Sequence, residues 1–322
     1  MRMHLAAAMA LAGLAIGIQA AGGQDYPAKP VRVVIPFAAG AGTDLTGRIV
    51  AQELSKRLGQ QFFIENKPGA AAQLGTDLVA KSQPDGYTLL WTVTDGLSVL
   101  PAVKTVPYTI PDDFAFIGSI AQQPYAFSVN PKWPFKSVAE FVAHAKSNPG
   151  KLNYGSAGVG SAPHLVLAMI STTAAVQMVH VPFGGLGPAT NALIAGTVDV
   201  GLVTPVQVKP HVDSAALRAL AVTSKKRSRV LPHLPTLEEA GLPVTAIVAY
   251  GLTAPARTPL PVVAQLRSAM DELMKDKTFT EHFRELGFEL DPLIGDAYRD
   301  FIVKDLDQWR GVAKAAAIKL EN

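Results

Sequence analysis

The sequence predicts an α/β protein built as two doubly wound lobes, and three observations carry that prediction. Strand-like and helix-like stretches alternate from Val31 to Val93, and a second such series runs from Ser137 to Val222. Between and after them lie two long β-like segments, Phe114–Asn130 and Val244–Ala254, which read as crossings from one lobe to the other. A chain of 322 residues, 48% of them hydrophobic, is on the order of two domains and can fill two cores.

The first element is not part of either lobe. Arg2 and His4 lie in a polar head, Leu5 to Ile18 is apolar, and Ala20, Ala21, Gly22 and Gly23 are small. That order predicts an export signal over residues 1–21, cut after Ala20 or Ala21, because the apolar stretch falls short of the roughly 20 residues of a membrane helix. Export also suits a chain with no cysteine, since a stray thiol is a liability in an oxidising compartment.

Val31–Ile35 is a near-continuous β-branched run, the pattern of a parallel strand covered on both faces. A glycine-rich turn follows at Phe37–Gly42, then a helix with Leu45, Ile49, Leu54 and Leu58 on one face. Gln61–Glu65 reads as a strand, Ala70–Ala80 as a helix, Asp85-Gly86 as a turn and Tyr87–Val93 as a third strand. In the second series, Ser137-Val138-Ala139-Glu140 is a capping box whose side chains can satisfy each other's free backbone N–H groups. Its helix ends near Asn148-Pro149-Gly150, and the strand Leu152–Tyr154 leads into a second glycine-rich turn, Gly155–Gly160. Then come a helix at Ala162–Ile170, a strand at Gln177–Val181, a helix at Pro188–Ala195, and strands at Val198–Val203 and Ala216–Val222. The tail predicts helices over Pro259–Lys275, Phe279–Leu286 and Asp296–Ala317, the last with Tyr298, Ile302, Leu306, Trp309 and Val312 in one core stripe. A tail of this kind packs back on the first lobe. The expected division is therefore residues 24–122 with 245–322 for lobe 1, and 123–244 for lobe 2.

Composition excludes several chemistries. Without cysteine there is no disulfide, thiolate nucleophile or lipid-anchoring thiol. The net charge of +3 is small, and the densest basic cluster, Lys225, Lys226, Arg227 and Arg229, has no interleaved aromatics, so it reads as a solvated loop and no nucleic-acid partner is expected. None of the 7 histidines pairs at metal-ligand spacing, and no metal or cofactor is expected.

The chemistry sits in the two glycine-rich turns, Phe37–Asp44 and Gly155–His164, each after a strand and before a helix. Glycines allow close backbone approach, and the helix start supplies free N–H groups and the positive end of its dipole. Together they form an anion site without an arginine. Either turn alone could be only a tight corner with Asp44 or Ser161 as a cap. One in each lobe points to a shared cleft. A dinucleotide site is rejected, because the third glycine of that fingerprint would fall at Leu45 and Asp44 would face the pyrophosphate. Ser156, His164 and Asp199 could form a triad, but Tyr154-Gly155-Ser156 lacks the first glycine of a nucleophile elbow.

At these residues the chain resembles the Bug family of periplasmic solute receptors, which serve tripartite tricarboxylate transporters. The resemblance is carried by Tyr26–Val31, Val34–Asp44, Ile64–Ala70, Pro84–Leu89, Pro149–Ser156, Arg218–Thr223 and Ala240–Pro243, in order along the mature chain. It implies a periplasmic binding protein type II-like fold, a Venus flytrap whose lobes close on a ligand about a hinge. It also implies a monomeric periplasmic receptor, not an enzyme, for a di- or tricarboxylate, an amino acid or an aromatic acid. The family's ligand contacts carry over to Phe37, Ala38, Ala39 and Asp44 in the first turn, and to Ser156, Gly160, Ser161 and His164 in the second. Thr94 and Thr204 follow strands that end on the same cleft.

Four departures bear on the ligand. Gly40-Ala41-Gly42 replaces three glycines, Gln73 replaces an asparagine, Phe183-Gly184 lacks a lysine, and Thr204 stands in place of an aspartate. Loss of both that acid and that lysine changes the cleft's charge and polarity, which disfavours an ammonium-bearing ligand and favours an apolar or aromatic acid. The expected partner is the membrane part of a transporter; a sensor kinase's outer domain is the alternative, and an exported serine hydrolase the third reading.

Overall fold

The computed structural model describes residues 26–40, 42–286 and 288–315. The export signal expected over residues 1–21 lies outside them. The described chain forms two sheets flanked by helices, six-stranded and five-stranded.

The first sheet begins with β1 (Val31–Ile35), parallel to β2 (Phe62–Asn66) on one side and β3 (Thr88–Val93) on the other. Helices α1 (Gly42–Leu58) and α2 (Gln73–Ala80) make the crossovers. Successive β1 residues serve opposite faces, as a two-residue period requires. Val33 and Ile35 pack with Val50 and Leu54 of α1, whereas Val34 joins Leu90 and Val79 on the other side. This double burial is why the strand is apolar throughout. After β3 the chain makes a π-helical turn, Asp95–Val99, that runs directly into α3 (Leu100–Val103).

Two long strands then tie the halves together. β4 (Phe114–Pro124) lies in the first sheet, and past Tyr125 the chain continues as β5 (Ala126–Val129) in the second. The return path is β10 (Ile247–Pro255), antiparallel to β4 with Ile247 opposite Pro124. At the crossing Tyr125 N–H donates to Thr223 Oγ1 at 2.8 Å, and Thr223 Oγ1–H donates to the Ala246 carbonyl at 2.7 Å.

The second sheet contains parallel β6 (Leu152–Ser156), β7 (Met178–Pro182) and β8 (Val200–Val203), with β5 antiparallel between β8 and β9 (Arg218–Val222). Helices α4 (Val138–Ser147), α5 (Ala162–Ala174), α6 (Leu186–Ile194) and α7 (Pro205–Asp213) surround it. The capping box of α4 is half made as expected. Glu140 N–H donates to Ser137 Oγ at 3.2 Å, but the Glu140 carboxylate accepts from the Lys136 amide one residue earlier, at 2.7 Å.

The tail comprises α8 (Leu260–Lys275), α9 (Lys277–Glu285), β11 (Glu289–Ile294) and α10 (Asp296–Ala315). β11 adds to the first sheet beside β4, and Tyr298 and Ile302 of α10 bury against Phe114 and Phe116. Leu306 and Trp309 continue that buried stripe, with Val312 half-buried.

Several expectations need correction. The buried face of α1 is set by Thr43, Asp44, Thr46, Gly47, Val50, Ala51 and Leu54, while Leu45 is 38% exposed. A 3.6-residue period leaves Leu45 off the stripe that Thr43, Gly47, Val50 and Leu54 define. The second helix starts at Gln73, not Ala70, because Ala70, Ala71 and Ala72 all take left-handed backbone, with φ of 47°, 52° and 78°. Alanine's helix propensity loses there to the shape of the turn after Pro68-Gly69. The π-turn, α7 and β11 were not foreseen. Asp95-Gly96 reads as a turn, Pro205 and Pro210 read as breakers although Pro205 occupies the tolerated first helical turn, and Pro292 reads as a strand breaker although β11 is an edge strand whose pairing with β4 shifts register between Leu290 and Leu293, where proline is tolerated. Among the described residues no helix is long and apolar enough to cross a membrane.

Candidate ligand-binding cleft

The turns at the carboxyl ends of β1, β2, β6 and β7 meet between the two sheets, the place where open α/β sheets hold ligands. The lobes touch there through one backbone pair and one side-chain contact. Ala38 N–H donates to the Gly184 carbonyl at 3.2 Å, and Gln207 Nε2 donates to the Gly40 carbonyl at 3.3 Å. Two glycines lie at this contact, where a Cβ would sit at ordinary van der Waals distance from the facing backbone. A Cβ at Gly158, whose φ is +128°, would lie 3.4 Å from the Ala71 amide; one at Gly185 would lie 3.5 Å from the Ala38 amide.

Phe37 and Ala157, one from each glycine-rich turn, line two adjoining spaces. The inner one, beside the crossing strands, holds only about 20 Å³ and is walled by Val93, Asp95, Tyr125, Leu186, Val248 and Tyr250 among others. That is room for about one water. The outer chamber measures about 370 Å³ and lies between Gly69–Ala72 and Leu100 on one side and Ala157–Val159 and Pro182–Gly184 on the other. A third space of about 350 Å³ opens on the far side, where Ala39 and Gly40 face Gly187, Thr190, Asn191, Gln207 and His211.

Asp44 is buried and its carboxylate is fully engaged within its own turn. Arg48 donates at 3.0 Å, Asn66 Nδ2 at 3.0 Å and the Gly40 amide at 3.3 Å. Burial alone would push this carboxyl up, but those hydrogen bonds outweigh it and hold it below the usual range. Asn66 also donates to the Phe37 carbonyl at 3.0 Å, so the group as a whole fixes the first turn. Thr94 is buried at the end of β3, and its Oγ1 has no hydrogen-bond partner among the described residues. Thr204 precedes α7 and bonds through Oγ1 to Gln207 Oε1 at 3.0 Å.

In the second turn Ser161 caps α5. Its hydroxyl donates to the Gly158 carbonyl at 2.8 Å and accepts from His164 N–H at 3.5 Å. Gly160 N–H donates to His164 Nδ1 at 3.1 Å, which places the proton of the neutral ring on Nε2. His164 stacks on His180 with centroids 4.0 Å apart, and His180 stacks on Tyr154 at 4.9 Å. Burial lowers the pKa of His164; burial and the neighbouring His164 push His180 down to about 4. Both rings are neutral at pH 7.

The triad considered from sequence does not assemble. Ser156 Oγ meets His180 Nε2 at 2.6 Å, not His164. Asp199 is taken up by Trp133 Nε1, Lys132 Nζ and the Asn153 amide, each at 2.8 Å. No histidine is therefore oriented by that acid, and the relay that activates a serine is missing.

Two contributors lie outside the two glycine-rich turns read from sequence, and of them only Phe183-Gly184 is legible there, as a departure that bears on the ligand. The first is the β7–α6 turn, Phe183-Gly184-Gly185-Leu186-Gly187, which satisfies the same rule as the other two turns: glycines after a strand and before a helix. The second is Asp95, fully buried, whose Oδ1 accepts from the Ala162 amide of the opposite lobe at 2.8 Å. No spacing pattern marks it.

Two α/β lobes on crossing strands, with glycine turns closing over a cleft, define a solute-binding receptor of the periplasmic binding protein type II-like class. The chain belongs to the tripartite tricarboxylate transporter receptor family, whose sequence model matches residues 46–318. It is 33% identical to protein BugT of Bordetella pertussis over 97% of this chain and 96% of that one. The structure of the periplasmic binding protein BugD superposes with a TM-score of 0.87 at 32% identity, covering 92% of this chain and 100% of that chain. That of Rpa4515 of R. palustris with adipate gives a TM-score of 0.86 at 31% identity, covering 92% and 99%. The family is one of solute-binding receptors, not of enzymes.

Proposed function

We propose that this chain is exported to the periplasm, works as a monomer, captures a small carboxylate in the cleft and delivers it to the membrane subunits of a tripartite tricarboxylate-type transporter. The observation that carries the reading is the meeting of glycine-lined turns from opposite sheets, with Ala38 N–H against the Gly184 carbonyl. Groups that pair with each other in the touching lobes are available to a guest once the lobes part. Residues 24–122 with 245–322, and 123–244, are taken as the moving bodies, with Tyr125 and Ala246 at the hinge.

The relative that binds adipate supports a carboxylate as guest. Phe37, Ala38 and Ala39 present the first turn, Ser156, Gly160, Ser161 and His164 the second, and Asp44 acts by fixing the first turn's shape. Thr94 and Thr204 supply hydroxyls at strand ends. Micromolar affinity corresponds to about −8 kcal/mol, whereas a helix end contributes roughly 0.3–2 kcal/mol. Several hydrogen bonds and burial of an apolar body must supply the rest, which fits the missing lysine at Gly184 and the missing acid at Thr204.

A thermal-shift screen against a panel of carboxylic acids tests the reading, because a specific ligand raises the melting temperature by mass action. A panel in which no acid moves it at millimolar concentration removes the carboxylate from the proposal. Capture of solubilised membrane proteins with and without ligand tests the partner; recovery of a sensor kinase in place of transporter subunits would replace it.

A further inference from the structure

We propose that the outer chamber of the cleft is a subsite for the distal anionic group of an elongated, apolar-bodied diacid, and that Lys104 is the residue that reads it. The inference rests on the carboxylate-receptor reading and narrows its ligand class.

The chamber of about 370 Å³ falls within the size range of small-molecule sites. Its walls are proline, phenylalanine, glycine, alanine, leucine and valine, with one exception: Lys104, at the end of α3, carries the sole polar side chain of the lining. Lys104 is half-buried, and its ammonium forms no ion pair or hydrogen bond among the described residues. It brings to an otherwise apolar lining a positive charge that has no counter-charge among the described residues. A carboxylate brought to it restores the balance. An ammonium on a flexible stem suits this task, because it needs no fixed fork geometry.

The chamber also adjoins the glycine turns, since Phe37 and Ala157 line both it and the inner space. A ligand held at one end by turn amides therefore runs its body past Phe37, Leu100 and Phe183 before a second charge meets Lys104. Monoacids leave the ammonium unpaired. Diacids with a very short spacer do not fill the apolar wall.

Matched acid pairs test this: terephthalate against benzoate and suberate against octanoate, with malate and citrate as short acids, titrated by calorimetry into the full mature protein and Lys104→Met. The wild type should bind each long diacid at least tenfold tighter than its monoacid. Lys104→Met should erase that preference, leaving monoacid affinity within about twofold and the melting temperature unchanged. A diacid preference that survives Lys104→Met, or no preference in the wild type, overturns the inference. Binding of malate or citrate with neither long pair overturns it while the carboxylate reading stands; binding of no acid at all overturns both.

Discussion

Asp95 accepts a hydrogen bond from the Ala162 amide at 2.8 Å, so a carboxylate carried by one lobe caps the helix that opens the other lobe's binding turn. The positive end of α5 favours that charge, yet burial works against it. Burial is the larger influence and pushes Asp95 up to about 6, with Asp305 adding to the rise. Asp305, half-buried on α10 and held by Ser98 Oγ, is likewise pushed up by burial to about 6. Both values lie above the ordinary 3.8, so the folded form holds these protons more tightly than the unfolded chain does. The resulting stability is fully present below pH ~4 and is lost as pH rises through ~6. At about 1.4 kcal/mol per unit, the ceiling is on the order of 3 kcal/mol per acid. Urea unfolding at pH 4.5 and 7.5 should show the loss, and Asp95→Asn with Asp305→Asn together should flatten it. An undiminished slope in the double variant would assign it to other groups.

Gly158 tests the contact between lobes. Alanine there would be strained at φ +128° and would bring a Cβ within 3.4 Å of the Ala71 amide across the cleft. Gly150, at φ +71°, has nothing within 4 Å of its hypothetical Cβ and is the control. Gly150→Ala should lose about 1 kcal/mol of stability from left-handed backbone and Gly158→Ala more, on the order of 1–3 kcal/mol, because φ +128° is strained further. Only Gly158→Ala should also weaken ligand binding, by roughly tenfold if closure bears 1–2 kcal/mol of the strain. Equal affinity in the two variants would mean that this approach plays no part in holding ligand.

Asp44 and Arg48 separate the turn's shape from its surface charge. Asp44→Ala strips Asn66 and the Gly40 amide of their acceptor and should cost about 1–3 kcal/mol. The Arg48 side chain is half exposed, so Arg48→Ala should cost less than about 1 kcal/mol. Because Asp44 is held below the usual carboxylate range, its contribution is present at neutral pH and fades as pH falls through its folded pKa. Denaturant midpoints of the two variants check the order; Arg48→Ala costing as much as Asp44→Ala would make the ion pair the dominant part.

The parts of this molecule that sequence discloses are those whose pattern and energy share a period. β1 reads as a doubly covered strand because Val33 and Val34 bury on opposite faces, and α10 reads as a core helix because Tyr298, Ile302, Leu306 and Trp309 recur at helical spacing. The glycine turns at residues 37–44 and 155–164 are legible for a similar reason, since glycine marks positions where the backbone must approach something. Elements whose local signals conflict with their tertiary role stayed hidden. Ala70–Ala72 has the composition of a helix and the backbone of a left-handed turn, and α7 carries two prolines. Asp95 and Lys104 matter only through what lies across from them in space, and no local pattern records that.

Ser161 and His164 make the sharpest test of the second turn. Ser161→Ala removes the cap of α5, at a cost of about 1 kcal/mol, and frees the Gly158 carbonyl that the hydroxyl holds at 2.8 Å. His164→Ala removes the acceptor for the Gly160 amide and the ring that stacks on His180. Neither loss should unfold the protein, since the β5, β6, β8 and α5 aliphatics and aromatics that build the core of the second lobe remain in both variants. Both should loosen the amides at the start of α5 and weaken acid binding several-fold, with unchanged circular dichroism. Ser156→Ala supplies the contrast: it should leave any ester turnover at background, because the Ser156–His180 pair has no acid behind it. Unaltered affinity in both Ser161→Ala and His164→Ala would remove this turn from the binding site and leave the β7–α6 turn as the second lobe's contribution.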